Sequence, residues 1–391
     1  MSEHPPPPPP RRPPPRRSLL GWAFAISFLL NLGFGVAALV LCIGLVTSGF
    51  GVTFDPGDPA LTERSHSGDA SAKNKIAIVS IEGVLLEGLL DFAHDQIDQA
   101  ASDPDVKAVV LRIDSPGGTI TASDDLYGRL TELRWGKDAE KKAQKKPLVV
   151  SMGSMAASGG YYIAMPAGAV YAERTTVTGS IGVYASFPNV KAMADYHGFK
   201  METIKQGEIK DSGSPFGAMT DHEREVWQDL VDHAYRQFLD VVENGRADML
   251  EKGQLRERVA IQRLDVGPPP APGEAAKPAP GPISRYRADG GVFTADEALD
   301  LKLIDKIGTL DDAIQEAATQ AKLGASYHAI EYQRRKSPVQ QLLGLQARQP
   351  ASVLEPGRLA NGLAPRLWYL APGSELSGIL AGAEATPGQG K

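Results

Sequence analysis

Cysteine is almost missing from this 391-residue chain, Cys42 being its only one. A disulfide framework within the chain is therefore excluded, as is a zinc or iron–sulfur site built on several thiolates. The seven histidines show no HExxH or similar ligand spacing, so no metal is expected. A large charge excess is lacking too: 41 Lys and Arg stand against 47 Asp and Glu, a formal net charge of −6. A mildly acidic chain that is 42% hydrophobic has the balance neither of a nucleic-acid binder nor of a disordered polymer. No internal repeat is evident, and residues 18–54 carry no charged side chain.

That uncharged stretch follows a basic leader. Residues 1–18 hold nine prolines and Arg11, Arg12, Arg16 and Arg17, a composition that reads as extended and solvated. Residues 19–46 are apolar and long enough to cross the roughly 30 Å hydrocarbon layer of a bilayer. Buried core helices are seldom apolar on every face over such a length. The apolar region of a cleaved signal peptide usually runs about 7–15 residues, much shorter than this one. Leu41 precedes Cys42 where a lipoprotein site would have Gly or Ala, so lipidation is rejected. The segment is expected to be an uncleaved transmembrane helix. Four arginines before it, and Asp55 and Asp58 after it, leave the leader in the cytoplasm and the rest outside. Residues 47–74 read as a tether, with Gly, Ser and Asp concentrated over 55–74. The lack of cysteine over 43–391 is compatible with an oxidising compartment.

Beyond the tether the periodicity changes. Residues 76–81, 106–113 and 147–152 are short apolar runs that predict buried strands. Helices are expected over 89–101, 123–135 and 157–165, with the charged segment 137–146 as a solvated surface. Such alternation argues for an α/β domain with mostly parallel pairing. A long helix is expected over 221–250, with Trp227, Leu230, Ala234 and Phe238 close to one face. Residues 267–282 contain seven prolines and read as a surface insertion within the domain, because helical patterning resumes afterwards. The domain is expected to span 75–325. Residues 326–391 read as a tail, whose apolar piece at 367–380 is a candidate for docking.

Three segments could carry chemistry. In SMGSMAASGGYY, over 151–162, a buried strand runs into small residues and a helix start. Ser158 there is either an N-cap or a nucleophile, with the Gly159 amide and the helix dipole stabilising an oxyanion. Ser151 and Ser154 compete with it. In RIDSPGG, over 112–118, the Pro-Gly-Gly stretch is either an ordinary turn or a loop whose Gly117 or Gly118 amide is a second oxyanion donor. Arg112 and Asp114 are expected to brace it. In KQGEIKDSGSP, over 205–215, a lysine is either a solvated charge or a base. A lysine that takes a proton must be neutral, which requires burial or nearby positive charge.

Taken together, these segments resemble the signal peptide peptidase A (protease IV) family of membrane-anchored serine proteases. The matching blocks are RIDSPGG, SMGSMAASGGYYIA, TGSIGV at 178–183, GEIKDSGSPF and VFTADEALDLKLIDKIG, in the family's order over roughly 74–325. The resemblance implies an α/β fold of the Clp protease/crotonase type, built from ββα units. It implies Ser158 as nucleophile, Lys210 as general base, and the amides of Gly117 or Gly118 and of Gly159 as oxyanion donors, without cofactor. Lys205 lies outside the matched block. It implies peptides, residual signal peptides among them, as substrates. It also implies a homo-oligomeric ring of eight subunits at the bacterial inner membrane, with the catalytic domain on its outer side. The proline-rich leader, the 267–282 insertion and the long tail depart from the family's pattern without touching the dyad. A His222-based triad is the weaker arrangement. Two rivals share the fold: an inactive scaffold, which the intact Ser158 and Lys210 argue against, and an acyl-coenzyme A enzyme, which the anchor argues against.

Overall fold

The computed structural model describes residues 27–28, 30–34, 61–136, 145–262, 281–334 and 367–372. The chain divides into two units, Met1–Pro59 and Ala60–Lys391. In the first, residues 27–28 and 30–34 are helical, with Phe28, Leu30, Leu32 and Phe34 exposed. No helix among the described residues is long and apolar enough to cross a membrane. The rest of the expected anchor and the leader lie outside the described residues, as does the tether up to residue 60.

The second unit begins with β1 (Leu61–Gly68) and β2 (Lys75–Glu82), followed by α1 (Asp91–Ser102), β3 (Val106–Ser115) and β4 (Gly117–Thr119). Then come α2 (Ile120–Trp135), β5 (Leu148–Ala157), α3 (Gly159–Tyr162), β6 (Ala169–Ala172), β7 (Val177–Gly179) and β8 (Tyr184–Ala185). The second half holds α4 (Lys191–Tyr196), α5 (Asp221–Gly245), β9 (Arg258–Ile261), β10 (Ile283–Tyr286), β11 (Val292–Thr294) and α6 (Ala295–Asp300). It ends with β12 (Lys306–Ile307), α7 (Leu310–Gln320), β13 (His328–Arg334) and β14 (Leu367–Leu370).

The main sheet runs β1-β13-β2-β3-β5-β6-β12, with β7 and β11 branching from β5. Neighbours from β13 to β12 are parallel. Such strands are covered on both faces, which is why they read as continuous apolar runs. Ala77, Val79, Val109, Leu111, Leu148 and Val150 face the core shared with Ile97 of α1 and with Leu126 and Leu130 of α2. Their alternates Ile76, Ile78, Ala108, Val110 and Val149 face Ala313, Ile314 and Ala317 of α7.

Several expectations need correction. Residues 61–68 were expected in the tether but form β1, antiparallel to β13. Only Leu61 of that strand is buried, so a polar edge strand has the composition of a linker. The sheet also extends past residue 325, because β13 lies between β1 and β2. Helix α5 ends at Gly245 rather than 250, and Leu230 is exposed while Ala234 and Phe238 are buried, because the first half of α5 projects beyond the core. The proline-rich segment joins the antiparallel pair β9–β10 and, over 263–280, lies outside the described residues.

Two buried charges tie the layers together. The Arg246 guanidinium, 4% exposed, forms a paired contact with both Asp305 oxygens at 2.9 Å. Asp305 in turn accepts the Val170 amide at 2.7 Å, so the end of α5 is fixed to β6. Lys146, expected on a solvated surface, is 2% exposed and donates to the Ala100 and Asp103 carbonyls, closing the end of α1. Burial pushes its pKa down from the ordinary 10.5 to about 8.

Between these two values the unfolded chain binds a proton that the folded chain does not. Stability contributed at Lys146 therefore rises from about pH 8 to about 10.5. Buried tyrosines Tyr161, Tyr162 and Tyr332 are held protonated by desolvation and act oppositely only above their ordinary value near 10. Comparison of the parent with Lys146→Met cancels their effect. In denaturant titrations the parent gains stability relative to Lys146→Met between about pH 7.5 and 9.5. An unchanged difference would mean that the amine is solvated.

Candidate active site

The ends of β3 and β5 meet in an irregular register. Ile113 pairs with Met152, but Ser115 pairs with Ala156, so two extra residues of β5 are accommodated there. Gly153 and Ser154 lie within this bulge. Ser154 Oγ donates to Asp114 at 2.6 and 2.8 Å, and Asp114 also accepts the Met155 amide at 3.1 Å. Ser151 Oγ accepts from Arg112 at 2.9 Å, and Arg112 pairs with Glu173 at 2.6 Å. The two competing serines are thus partners of Arg112 and Asp114, and those charges, expected to brace the Pro-Gly-Gly loop, brace the bulge of β5.

Ser158 is different. It follows β5 with φ 53° and ψ −116°, a conformation that non-glycine residues rarely adopt and that costs about 1–3 kcal/mol. Its amide donates to the Gly179 carbonyl at 2.8 Å, which anchors the turn on β7. Its side chain caps nothing, so the N-cap alternative falls. The hydroxyl is buried and has no hydrogen-bond partner among the described residues. A strand-to-helix turn that strains a serine and frees its Oγ is the geometry of a nucleophile elbow. The following helix is shorter than expected, Gly159–Tyr162 rather than 157–165, so its dipole adds little. Tyr161 is fully buried in this turn, and its hydroxyl donates to the Leu303 carbonyl at 2.6 Å.

The Pro-Gly-Gly turn packs directly on this elbow. A Cβ added to Gly159 would lie 2.4 Å from Ser123 Oγ and 3.1 Å from both Gly117 Cα and the Gly118 amide nitrogen. Only glycine permits that approach. As the first helical residue, Gly159 has no acceptor for its amide within α3. The Gly117 amide is engaged by Ser115 Oγ at 3.1 Å. Gly118 and Gly159 are therefore the better-placed amide pair beside Ser158. The sequence left Gly117 and Gly118 as alternatives, and it gave no role to Ser123, whose Oγ donates to the Thr119 carbonyl at 2.9 Å.

The lysine segment lies apart. Residues 206–217 form successive turns, in which Lys210 is exposed. No hydrogen bond joins Lys210 to Ser158 within the chain. Lys205 pairs with Asp211, and that contact holds the Asp211 carboxyl below its ordinary range. The segment is fastened to α5 by a hydrogen bond from the Trp227 indole to Ser212 Oγ at 2.8 Å. Met193, Tyr196, Phe199, Met201 and Ile204 are all exposed in the stretch that leads into it. His222 is also exposed, at the start of α5. Among the described residues no cluster of three or more His, Cys, Asp or Glu side chains could hold a metal ion.

The profile of Peptidase family S49 matches residues 140–257 and 284–324. A protein of Synechocystis sp. named as a candidate protease is 31% identical over 253 residues, 65% of this chain and 76% of its own length. Protease 4 of Haemophilus influenzae is 30% identical, over 62% of this chain. A candidate signal peptide peptidase, SppA, of Enterococcus faecium is 28% identical over 71% of this chain and 72% of its own. The chain spans only about a third of the Protease 4 chains that it matches, 34% and 37%.

The strained backbone at Ser158 has a measurable consequence. Ser158→Gly and Ser158→Ala both remove the buried, unpaired hydroxyl, but only glycine relieves the positive φ. The glycine variant is expected to be the more stable by about 1 kcal/mol in denaturant titration. Equal stabilities, or the reverse order, would mean that the elbow is not strained.

Proposed function

The chain belongs to peptidase family S49, a family of serine proteases, and from that premise we propose that it is a membrane-anchored endopeptidase working through a Ser158/Lys210 dyad. The observation that carries the assignment of Ser158 is its strained, buried and unpartnered hydroxyl beside the Gly118 and Gly159 amides. Neutral Lys210 takes the Ser158 proton, and Oγ attacks a peptide carbonyl carbon. The oxyanion rests on the backbone amides of Gly118 and Gly159. Lys210 then gives the proton to the leaving amine, and water hydrolyses the acyl-enzyme. The fold we assign is the Clp protease/crotonase type. The parallel order β2–β3–β5–β6, with helices on both faces, supports it.

Lys210 is exposed and makes no hydrogen bond to Ser158 in its own chain, so we assign the working base to a neighbouring subunit of a ring, which we take to have eight members. The exposed apolar residues 193–204 beside the lysine segment support burial of this arm against another copy. The uncharged segment 19–46 would hold the ring at the bacterial inner membrane, facing outward. Peptides that reach the site there include residual signal peptides left after secretion, which is the substrate class we propose.

Mixing inactive variants tests the shared dyad. Ser158→Ala and Lys210→Ala are each expected to be inactive on casein or a signal peptide while still assembled. When the two are co-assembled at equal ratio, a site works if it draws Ser158 from one variant and Lys210 from the other. About a quarter of parental activity should return. No recovery in mixed rings would place both residues in one chain or remove Lys210 from the mechanism, and cleavage by Ser158→Ala alone would discard the nucleophile.

A further inference from the structure

The segment that carries Lys210 is closed mostly on itself. The Lys210 amide donates to the Gly207 carbonyl at 3.3 Å and the Ser212 amide to the Ile209 carbonyl at 3.1 Å, so Lys210 sits within two overlapping turns. Lys205 Nζ donates to the Glu208 carbonyl at 2.6 Å and also reaches Asp211. The stretch before the segment adds bonds of the same kind. The Val190 amide donates to the Pro215 carbonyl at 2.8 Å, and Asn189 Nδ2 to the Gly217 carbonyl at 3.2 Å. Phe199 rests on Phe216, with 5.5 Å between ring centroids. These contacts shape an arm over residues 189–217, and none of them reaches the core.

Helix α5 does reach the core, where its Ala234 and Phe238 are buried. Trp227 lies seven positions, about two helical turns, before Ala234, so it continues that face of the helix beyond the core. Its indole N–H donates to Ser212 Oγ at 2.8 Å. Among the described residues this is the only hydrogen bond from residues 205–217 to α5. The indole is itself held by Phe187, with 4.7 Å between ring centroids. Both Trp227 and Ser212 are half-buried, so water competes poorly for the bond. Nearer the start of α5 there is a cleft of about 320 Å³ instead of packing, lined by Lys205, Asp211 and Ser214 on one side and by Thr220 and Glu223 on the other.

We propose that Trp227 is a positioning residue for the base. Through Ser212, two residues beyond Lys210, its indole N–H fixes the height at which the lysine turn is presented to the Ser158 of a neighbouring subunit. The proposal rests on the Ser158/Lys210 reading for the reaction, and adds to it the group that sets the place of the base. Trp227 touches neither a substrate nor the reacting atoms. A lysine amine hangs on a flexible four-carbon stem, so its reach is set by the backbone turn beneath it. A displacement of about 1 Å in a reacting group costs up to about 100-fold in rate. Indole suits the task because its N–H can only donate and its ring is rigid, while the Ser212 hydroxyl accepts.

The test uses the full, assembled chain with Trp227→Phe, which keeps a ring against Phe187 and removes the N–H. Ser212→Val and Ser212→Thr probe the other end of the bond. Those two side chains share one shape, and threonine alone retains a hydroxyl. Trp227→Phe and Ser212→Val should each lower kcat about tenfold on a fluorogenic peptide, with KM within about twofold of the parent. Ser212→Thr should recover most of what Ser212→Val loses. The double variant Trp227→Phe/Ser212→Val should fall no further than either single one, because both remove the same bond. In amide hydrogen exchange, residues 206–217 should exchange faster in Trp227→Phe, while residues 234–245 keep their parental protection. Unchanged exchange over 206–217, or losses that multiply in the double variant, overturns the proposal. A parental kcat in Trp227→Phe beside an inactive Lys210→Ala also overturns it, and leaves the dyad standing. Activity in Lys210→Ala would fell the dyad and the proposal with it.

Discussion

The site depends on one backbone constraint, the left-handed turn that Ser158 makes between β5 and α3. The turn persists because its neighbours over-determine it. The Ser158 amide is held by Gly179, and Gly159 is pressed against the Pro-Gly-Gly turn with no room for a side chain. Each of these groups is fixed by a different strand. Gly179 ends β7, which pairs with β5, while the Pro-Gly-Gly turn continues β3, which pairs with β5 on its other side. A strained residue survives only when such a frame is rigid, and the parallel core strands with their two covered faces supply that rigidity.

Half-buried charge has a positioning role in the same frame. Arg112 and Asp114 lie on β3, yet their partners Ser151, Ser154 and Glu173 all follow from β5 onward. These pairs set the bulge that lets Ser115 meet Ala156, and hence the height at which β5 delivers Ser158. Removing one partner of such a pair would leave an uncompensated charge, so the loss would be felt as misplacement of the elbow as much as lost stability. Arg246 and Asp305 do the equivalent for α5, the helix that carries Phe238 and the fastening point of the lysine segment.

Much of this was legible in the sequence. Strands β2, β3 and β5 announced themselves as apolar runs because a parallel strand buried on both faces has no polar alternation to confuse it. Ser158 could be named as a candidate because its neighbours are all small. What the chain did not disclose depends on long-range pairing. β1 is polar and reads as tether, since an edge strand needs only one partner and little burial. Lys146 sits in a run of lysines whose composition says surface, and its burial follows only from where α1 ends. The hydrogen bonds that occupy Ser151 and Ser154, and set Ser158 apart from them, reach residues about 40 positions away, which no local pattern encodes. The docking of 367–370 was readable as an apolar run, but not its register on Gly117 and Gly118.

The two halves of the proposed dyad are built to opposite standards, and that asymmetry has a physical sense. Ser158 is rigid and fully buried in a single chain. Lys210 is exposed on a segment of turns held by a few side-chain contacts. A lysine works as a base only when it is neutral, which requires desolvation that its own chain does not provide. On the proposed mechanism a lone chain therefore carries a prepared nucleophile without a prepared base, and assembly supplies the burial. Activity would then require one event beyond folding, burial of Lys210 by a neighbour. That event leaves unaltered the strained turn at Ser158, which is already complete.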